Sequence, residues 1–345
     1  MLTKQEIQLL HKTITTSARP LVFFDDDADG LASYLLIQDT NAEAHGIRAA
    51  RGPQLTHHFI GFVRRTHPDT VLIIDKPLVD EEFFRQVTTP TLWLDHHDPQ
   101  AYQQHKQHAH IQYLNPASND SEDHRPTSYW IQQALQGPIW IAAAGVTADW
   151  DSSLLDAFRK EYPKLAPKTN DIQEALYDSK LGDIIRILNF CMKGSTQEID
   201  ECIQALTHIK TPQELLNATS THAKHVQKHV KPILKEYHKQ LEQASQGESK
   251  QGVYTYVFED IQTSLVTNVA NELNTKIEED ILIIGRDDGT RINFSMRSTH
   301  TPLNKMLEEA LAHVEGYGGG HENACGGSIR KDHWQEFLRH IQENN

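Results

Sequence analysis

The sequence predicts an α/β protein with three parts: an N-terminal parallel-sheet unit (1–150), a helical connector (151–250) and a smaller C-terminal α/β unit (251–345). Two observations carry this. In the first part, near-continuous apolar runs at 22–24, 71–74 and 92–94 alternate with helix-like segments, as strands covered on both faces require. In the last part, alternating strands and an amphipathic helix follow a long stretch with no strand signal.

The elements follow in order. The run at 22–24 leads into Asp25-Asp26-Asp27-Ala28-Asp29-Gly30, and then into a helix over 30–40 with Leu31, Tyr34, Leu35 and Ile37 at helical spacing. The run at 71–74 ends on Asp75, and that at 92–94 ends on Asp95-His96-His97. A fourth apolar segment, 142–148, is read here as a further buried strand ending on Asp149. Helices are expected over 152–162, 171–189, 196–208 and 218–243, with Pro232 kinking the last. The small, polar stretch 244–252 reads as a linker or turn. Beyond it come a strand at 253–258, a helix at 261–276 and a hairpin of 281–284 with 291–296 around Asp287-Asp288-Gly289. A helix at 302–314 carries Leu303, Met306, Leu307, Ala310 and Leu311 on one face. The glycine run Gly316-Tyr317-Gly318-Gly319-Gly320-His321 and a helix at 333–342 end the chain.

Composition narrows the function. Against 33 Lys and Arg stand 47 Asp and Glu, a formal net charge of -14, so a uniform basic coat for duplex nucleic acid is excluded. Any polyanionic substrate must be met by metal or by a local basic track. The three cysteines, Cys191, Cys202 and Cys325, are far apart and odd in number. That predicts a reducing compartment and argues against structural zinc. With no membrane-length apolar run and no signal-peptide start, the expectation is a cytoplasmic protein without a membrane partner. The histidines scattered over 103–110 read as solvated surface.

The acidic and histidine residues at strand ends carry the chemistry. Clustered carboxylates cannot all stay ionised without a cation among them, and a pair of divalent ions would resolve that cost. The Asp25-x-Asp27-x-Asp29 spacing also opens a calcium loop, but here it follows a buried strand and runs straight into an apolar helix. Asp75 or Asp149 alone would be an ordinary turn or helix residue; the case rests on all four motifs occurring in order. Oxygen-rich ligation with imidazole suits Mn²⁺ or Mg²⁺. The amides of Gly318-Gly319-Gly320 beside His321 could cradle a phosphate, although a lone glycine run is more often a flexible loop. Lys224, Lys228, Lys231, Lys235 and Lys239 share one helical face, which reads as a solvated surface before it reads as a nucleic-acid track.

Together these motifs resemble the DHH phosphoesterase family, named for a motif matching Asp95-His96-His97, and within it the RecJ-like exonuclease branch. The segment around Phe294-Ser295-Met296-Arg297 and Gly318-Gly319-Gly320-His321 resembles its DHHA1 substrate domain. The resemblance implies two Mn²⁺ ions, with Mg²⁺ as the alternative, in a cleft between the two domains. Asp27 and Asp29 would each bind one ion, Asp75 would bridge them, and His96 and Asp149 would complete the set. Phe23 stands where short-oligonucleotide phosphatases carry a histidine, and Asp25 is the substitute ligand. His97 would face the scissile phosphate and Asp95 would orient a histidine. Arg297, Gly319, Gly320 and His321 would hold the substrate, with Tyr317 as a stacking candidate.

The implied activity is two-metal hydrolysis of single-stranded DNA or RNA from an end. The alternative is a phosphodiesterase of very short oligonucleotides, a bisphosphorylated adenosine or a cyclic dinucleotide. A third reading, a non-catalytic replisome scaffold, ranks low because every expected ligand is present. Replication or repair proteins are the partners the resemblance implies.

Overall fold

A computed structural model describes residues 1–50, 52–99, 108–259 and 265–345. It divides into two compact units, 1–230 and 231–345.

The first unit opens with α1 (Lys4–Thr16), started by a capping box in which Thr3 and Glu6 satisfy each other's amides. Then come β1 (Pro20–Phe24), α2 (Ala28–Thr40), β2 (His45–Arg48), β3 (Gln54–Leu55), α3 (Ile60–Thr66), β4 (Thr70–Ile74) and β5 (Leu78–Val79). They are followed by α4 (Glu81–Gln86), β6 (Thr91–Leu94) and β7 (Ile111–Leu114). The main sheet has five strands in the order β2-β1-β4-β6-β7, and every pair in it is parallel. Leu21, Phe23, Val71, Ile73 and Trp93 join one buried cluster with Phe59, Phe83 and Phe84. The alternate positions, Val22, Phe24, Leu72, Ile74, Leu92 and Leu94, are equally buried and point to the opposite face. Such two-sided burial is why these strands read as unbroken apolar runs.

Helices α5 (Thr127–Leu135) and α6 (Ile139–Ala148) pack with α2. The segment 142–148, expected as a strand, lies in α6. Length and composition explain the difference: a ten-residue segment rich in alanine favours helix, and burial on all sides removes the polar face that would have shown helical periodicity. Then come α7 (Leu155–Glu161), α8 (Ile172–Tyr177), α9 (Lys180–Cys191), α10 (Thr196–Leu206) and α11 (Pro212–Asn217). The single helix expected over 171–189 is two, because Ser179 caps a new helix through the amide of Gly182. Cys191 and Cys202 form a disulfide between α9 and α10. The turn between these helices brings together residues that the sequence appeared to keep apart, so the cysteine argument for a reducing compartment falls.

Helix α12 (Thr221–Ala244) carries Pro232 in its interior without ending there. The division between the two units falls inside it, after Val230.

The second unit contains β8 (Glu248–Lys250), β9 (Val253–Phe258), α13 (Val266–Leu273), β10 (Ile281–Asp287) and β11 (Arg291–Ser298). It closes with α14 (Leu303–Leu311), β12 (Gly316–His321), β13 (Ala324–Arg330) and α15 (Trp334–Glu343). The six strands order as β12-β13-β11-β10-β9-β8. Only β9 and β10 pair in parallel, and α13 lies between them in sequence. The expected start of α13 at 261–264 lies outside the described residues. The supposed linker at 244–252 contains β8, which pairs back on β9. The glycine run is an edge strand. A Cβ on Gly318 would lie 2.8 Å from the carbonyl of Gly326, so the β12–β13 pairing leaves no room for a side chain there. Among the described residues, no helix is long and apolar enough to cross a membrane.

Candidate metal centre

Strand register builds the site. Phe24, Ile74, Leu94 and Leu114 pair in one line across β1, β4, β6 and β7. The residues that follow, Asp25, Asp75, Asp95 and Asn115, therefore leave the sheet at one level. The ladder continues one step further, with the Asp75 amide donating to Leu94 at 2.9 Å and that of Asp95 to Leu114 at 3.1 Å. Ligands in sheets of this kind gather at such carboxyl ends.

Between β1 and α2 the chain turns tightly. A Cβ on Gly30 would fall 2.6 Å from the backbone oxygen of Asp25, so only glycine fits. Asp27 caps α2, accepting from the Gly30 amide at 2.9 Å. Burial, then the charges of Asp149, Asp29 and Asp25, push its pKa from 3.8 up to about 7. Asp29, two residues on, is fully buried and held by the start of α5. It accepts from the amides of Thr127 at 2.7 Å and Ser128 at 3.1 Å, and from the Ser128 hydroxyl. That helix N-terminus stabilises its charge, yet burial and Asp149 still raise its pKa to about 6.

Asp75, 1% exposed, sits at φ 60° in the left-handed region, a conformation aspartate tolerates better than most residues. Burial, then Asp27 and Asp29, hold its carboxyl well above the usual range. His96 lies against it. The His96 Nδ1 is 3.0 Å from the carbonyl oxygen of His124, which can only accept, so Nδ1 carries the proton. Nε2 is then 3.3 Å from Asp75 and 3.2 Å from Asp149, the C-cap of α6. Neither contact has hydrogen-bond geometry, and Nε2 is buried without a partner. A neutral ring would aim its lone pair at two carboxylates. Only a proton or a metal ion relieves that. Burial by itself depresses the His96 pKa, but Asp149 and Asp75 outweigh it and raise it well above the usual value.

His97 is oriented separately. Its Nδ1 lies 2.8 Å from Oδ1 of the fully buried Asp95, which leaves Nε2 as the ring nitrogen available to the site. Asn115, at the end of β7, donates to the His97 carbonyl at 2.8 Å and to Asp95 at 3.4 Å.

The structure brings together Asp29, Asp75, His96, His97 and Asp149, with Asp27 close enough for its charge to act on Asp75 and for those of Asp149, Asp29 and Asp25 to act on it. Asp75, His96 and His97 offer atoms within 4.8 Å of one another, as do Asp29, His96 and Asp149. Asp25 instead accepts from Lys76 Nζ at 2.7 Å. Lys76 is fully buried and also donates to the carbonyls of Ala49 and Gly52. This ion pair gives the Asp25 carboxylate a partner within the fold. Sequence reading missed Lys76, Asn115, Thr127, Ser128 and His124. Lys76 had a signal, since a lysine directly after a buried strand and an Asp needs a partner.

In the second unit, Arg297 is held by the Asn271 side chain at 2.6 Å and by the Met296 carbonyl at 2.6 Å. Gly319 and Gly320 lie on the open edge of the sheet, with Gly320 at φ 149°. His321 is exposed, as is Tyr317, whose ring lies 5.4 Å below the Arg291 guanidinium.

The donor set suits a hard divalent cation: carboxylate oxygens with one imidazole whose second nitrogen is fixed by a carbonyl. The buried, unpartnered Nε2 of His96 is the observation that tests the fit, and it passes.

Comparison with known proteins agrees with this fold. Residues 249–344 match the model of the DHHA1 domain. No curated protein matches. The structure is similar to RecJ in complex with Mn²⁺ from Thermus thermophilus, with TM-score 0.65 and 14% identity over 99% of this chain and 54% of that one. It thus spans about half the length of that protein. It is also similar to an exonuclease RecJ bound to manganese, with TM-score 0.61 and 14% identity over 99% of this chain and 95% of the other. A pGpG-specific phosphodiesterase, PggH of Vibrio cholerae, aligns with TM-score 0.53 and 15% identity over 94% and 98%. The chain has the RecJ-like DHH/DHHA1 fold: an N-terminal parallel sheet, helices, and a C-terminal mixed sheet that is the DHHA1 domain.

Proposed function

We propose that this chain is a metal-dependent phosphodiesterase, a RecJ-like exonuclease that hydrolyses single-stranded DNA or RNA. The observation that carries the proposal is His96, whose Nε2 faces two carboxylates while Nδ1 is committed to a carbonyl. Asp27, Asp29, Asp75, His96 and Asp149 hold two divalent ions, Mn²⁺ or Mg²⁺. When bound, such ions polarise phosphoryl oxygens and make water acidic enough to attack near neutral pH.

The protein's own groups then have defined tasks. Asp95 and Asn115 lock the His97 ring, and when both of its nitrogens carry a proton its Nε2 donates to a phosphate oxygen and favours the charge that develops there. The N-terminus of α5 fixes the Asp29 carboxylate and limits its freedom to pick up a proton. Lys76 holds Asp25, and with it the turn that places Asp27. In the second unit, the outward backbone edge of Gly319 and Gly320, the His321 ring and the charge of Arg297 bind the substrate.

The acidic net charge of -14 favours a second reading, hydrolysis of very short oligonucleotides or dinucleotides, where little backbone has to be neutralised. A time course on end-labelled DNA and RNA of graded length, with Mn²⁺, Mg²⁺ or EDTA, tests both. Metal-dependent shortening of long strands, weakening steeply with salt, is expected. Activity confined to dinucleotides and similar small substrates would favour the second reading. Hydrolysis of nothing in Mn²⁺ would refute both and leave the scaffold reading.

A further inference from the structure

We propose that Trp150 is the platform on which a nucleobase of the substrate stacks, beside the metal centre; this rests on the phosphodiesterase reading above. The fold does not ask for tryptophan here. At the end of α6, the Trp150 amide donates to Thr147 and the Asp151 amide to Val146. That is the Schellman arrangement, in which the residue at the position of Trp150 is left-handed and usually glycine. Trp150 adopts φ 61°, a conformation that costs a bulky side chain. Packing returns little, since the ring is 44% exposed. Its aromatic neighbour Tyr177 meets it edge-on at 6.4 Å, which sets its orientation without covering it.

The ring also stands beside the metal centre. Trp150 directly follows Asp149, which faces His96. Both line an open cavity of about 450 Å³ together with His124, whose carbonyl fixes the His96 ring. A group seated there is a direct neighbour of whatever the metal centre holds.

The lining of the cavity restricts what can enter it. Asp120, Glu122, Asp123 and Asp151 also line it, with Met1, whose ammonium is taken by Asp123 at 3.3 Å and by the Pro116 carbonyl at 2.8 Å, and the carboxylates repel phosphate. Arg125 does not offset them, because Asp123 takes its Nε at 2.9 Å and its guanidinium lies over Tyr129 and Trp130 at 4.4 and 4.6 Å. Of the parts of a nucleic-acid substrate, the one suited to this cavity is therefore uncharged, planar and able to donate N–H groups to its carboxylates. A nucleobase meets all three conditions, with the phosphate left to the metal centre.

The test uses the full chain with Mn²⁺ and two single-stranded oligonucleotides, one normal and one abasic at both ends. Trp150→Phe should keep the wild-type preference for the base-bearing strand. Trp150→Ala and Trp150→Gly should raise KM for that strand by about 5- to 150-fold relative to the abasic strand, the range expected for loss of one stacked base. Trp150→Gly should also melt at or above the wild-type temperature, because glycine suits the left-handed position. If wild type hydrolyses both strands and the alanine and glycine variants keep its KM ratio, the stacking role is wrong and the phosphodiesterase reading stands. If wild type hydrolyses neither, both fall.

Discussion

Asp75→Asn separates the electrostatic role of this carboxylate from its place in the fold. Asparagine tolerates the left-handed backbone as aspartate does, and its amide oxygen can keep the Thr127 hydroxyl contact at 3.4 Å. Only the charge is lost. In EDTA at pH 8 the wild-type protein holds Asp27, Asp29 and Asp75 close together and buried, so removing one charge should leave the melting temperature equal or higher. With Mn²⁺ at one hundred times its dissociation constant, binding stabilises wild type by about 2.7 kcal/mol. For a first unit of 230 residues this shifts melting by about 5–10 °C. Loss of a shared ligand weakens binding by at least the roughly 100-fold upper range for groups one shell further out. At the same Mn²⁺ concentration the variant then gains about 0.4 kcal/mol, a shift of about 1 °C. Thermal melts of both proteins with and without Mn²⁺ read this directly. An equal Mn²⁺ shift in the two proteins would refute the assignment of Asp75 as a ligand.

Other expectations concern the same centre. Asp27 and Asp29 have pKa values of about 7 and about 6 when folded, against 3.8 otherwise, so between these values the folded state holds protons that the unfolded chain has released. Metal-free stability should therefore fall as pH rises from about 4 to 7, and His96, raised by its carboxylate partners, adds to the fall with the same sign. Urea melts in EDTA should show a lower midpoint at pH 8 than at pH 5; the reverse order would contradict the buried cluster. Lys76→Met strands Asp25 and should cost about 3 kcal/mol, and adding Asp25→Asn should recover part of it. If Asp25→Asn alone weakened Mn²⁺ binding as much as Asp75→Asn, the ion-pair account of Asp25 would be wrong. Asn115→Ala frees the Asp95–His97 pair and should lower kcat about 10- to 100-fold with Mn²⁺ affinity unchanged; calorimetry showing a matching loss of affinity would overturn the proposed division of labour.

The sequence discloses the centre where two-sided burial makes strands unmistakable. Asp75 and Asp95-His96-His97 could be placed because apolar residues run right up to them. Strand β7 was missed because Ile111-Gln112-Tyr113-Leu114 carries a polar residue on its exposed side, and Asn115 was lost with it. Asp149 was found but its element was misread, since an alanine-rich run buried on every side has no period to show. The Asp25–Lys76 pair joins residues 51 positions apart, and no local pattern encodes such a meeting. The disulfide was hidden because the helix–turn–helix geometry of α9 and α10, not spacing in the chain, brings Cys191 to Cys202. The glycine run gave no strand signal because glycine is a poor strand former, and the close approach of β13 that demands glycine is visible only in three dimensions.

The shared level of the strand ends has a mechanical consequence. Asp75 and Asp95 are tethered through the last rungs of the central strands, so their spacing is inherited from the sheet's interior, not from a loop that can breathe on its own. The candidate metal centre and the toughest portion of the scaffold thus share one fate. Damage at the periphery should thin the population of intact molecules long before it blunts the performance of those that survive.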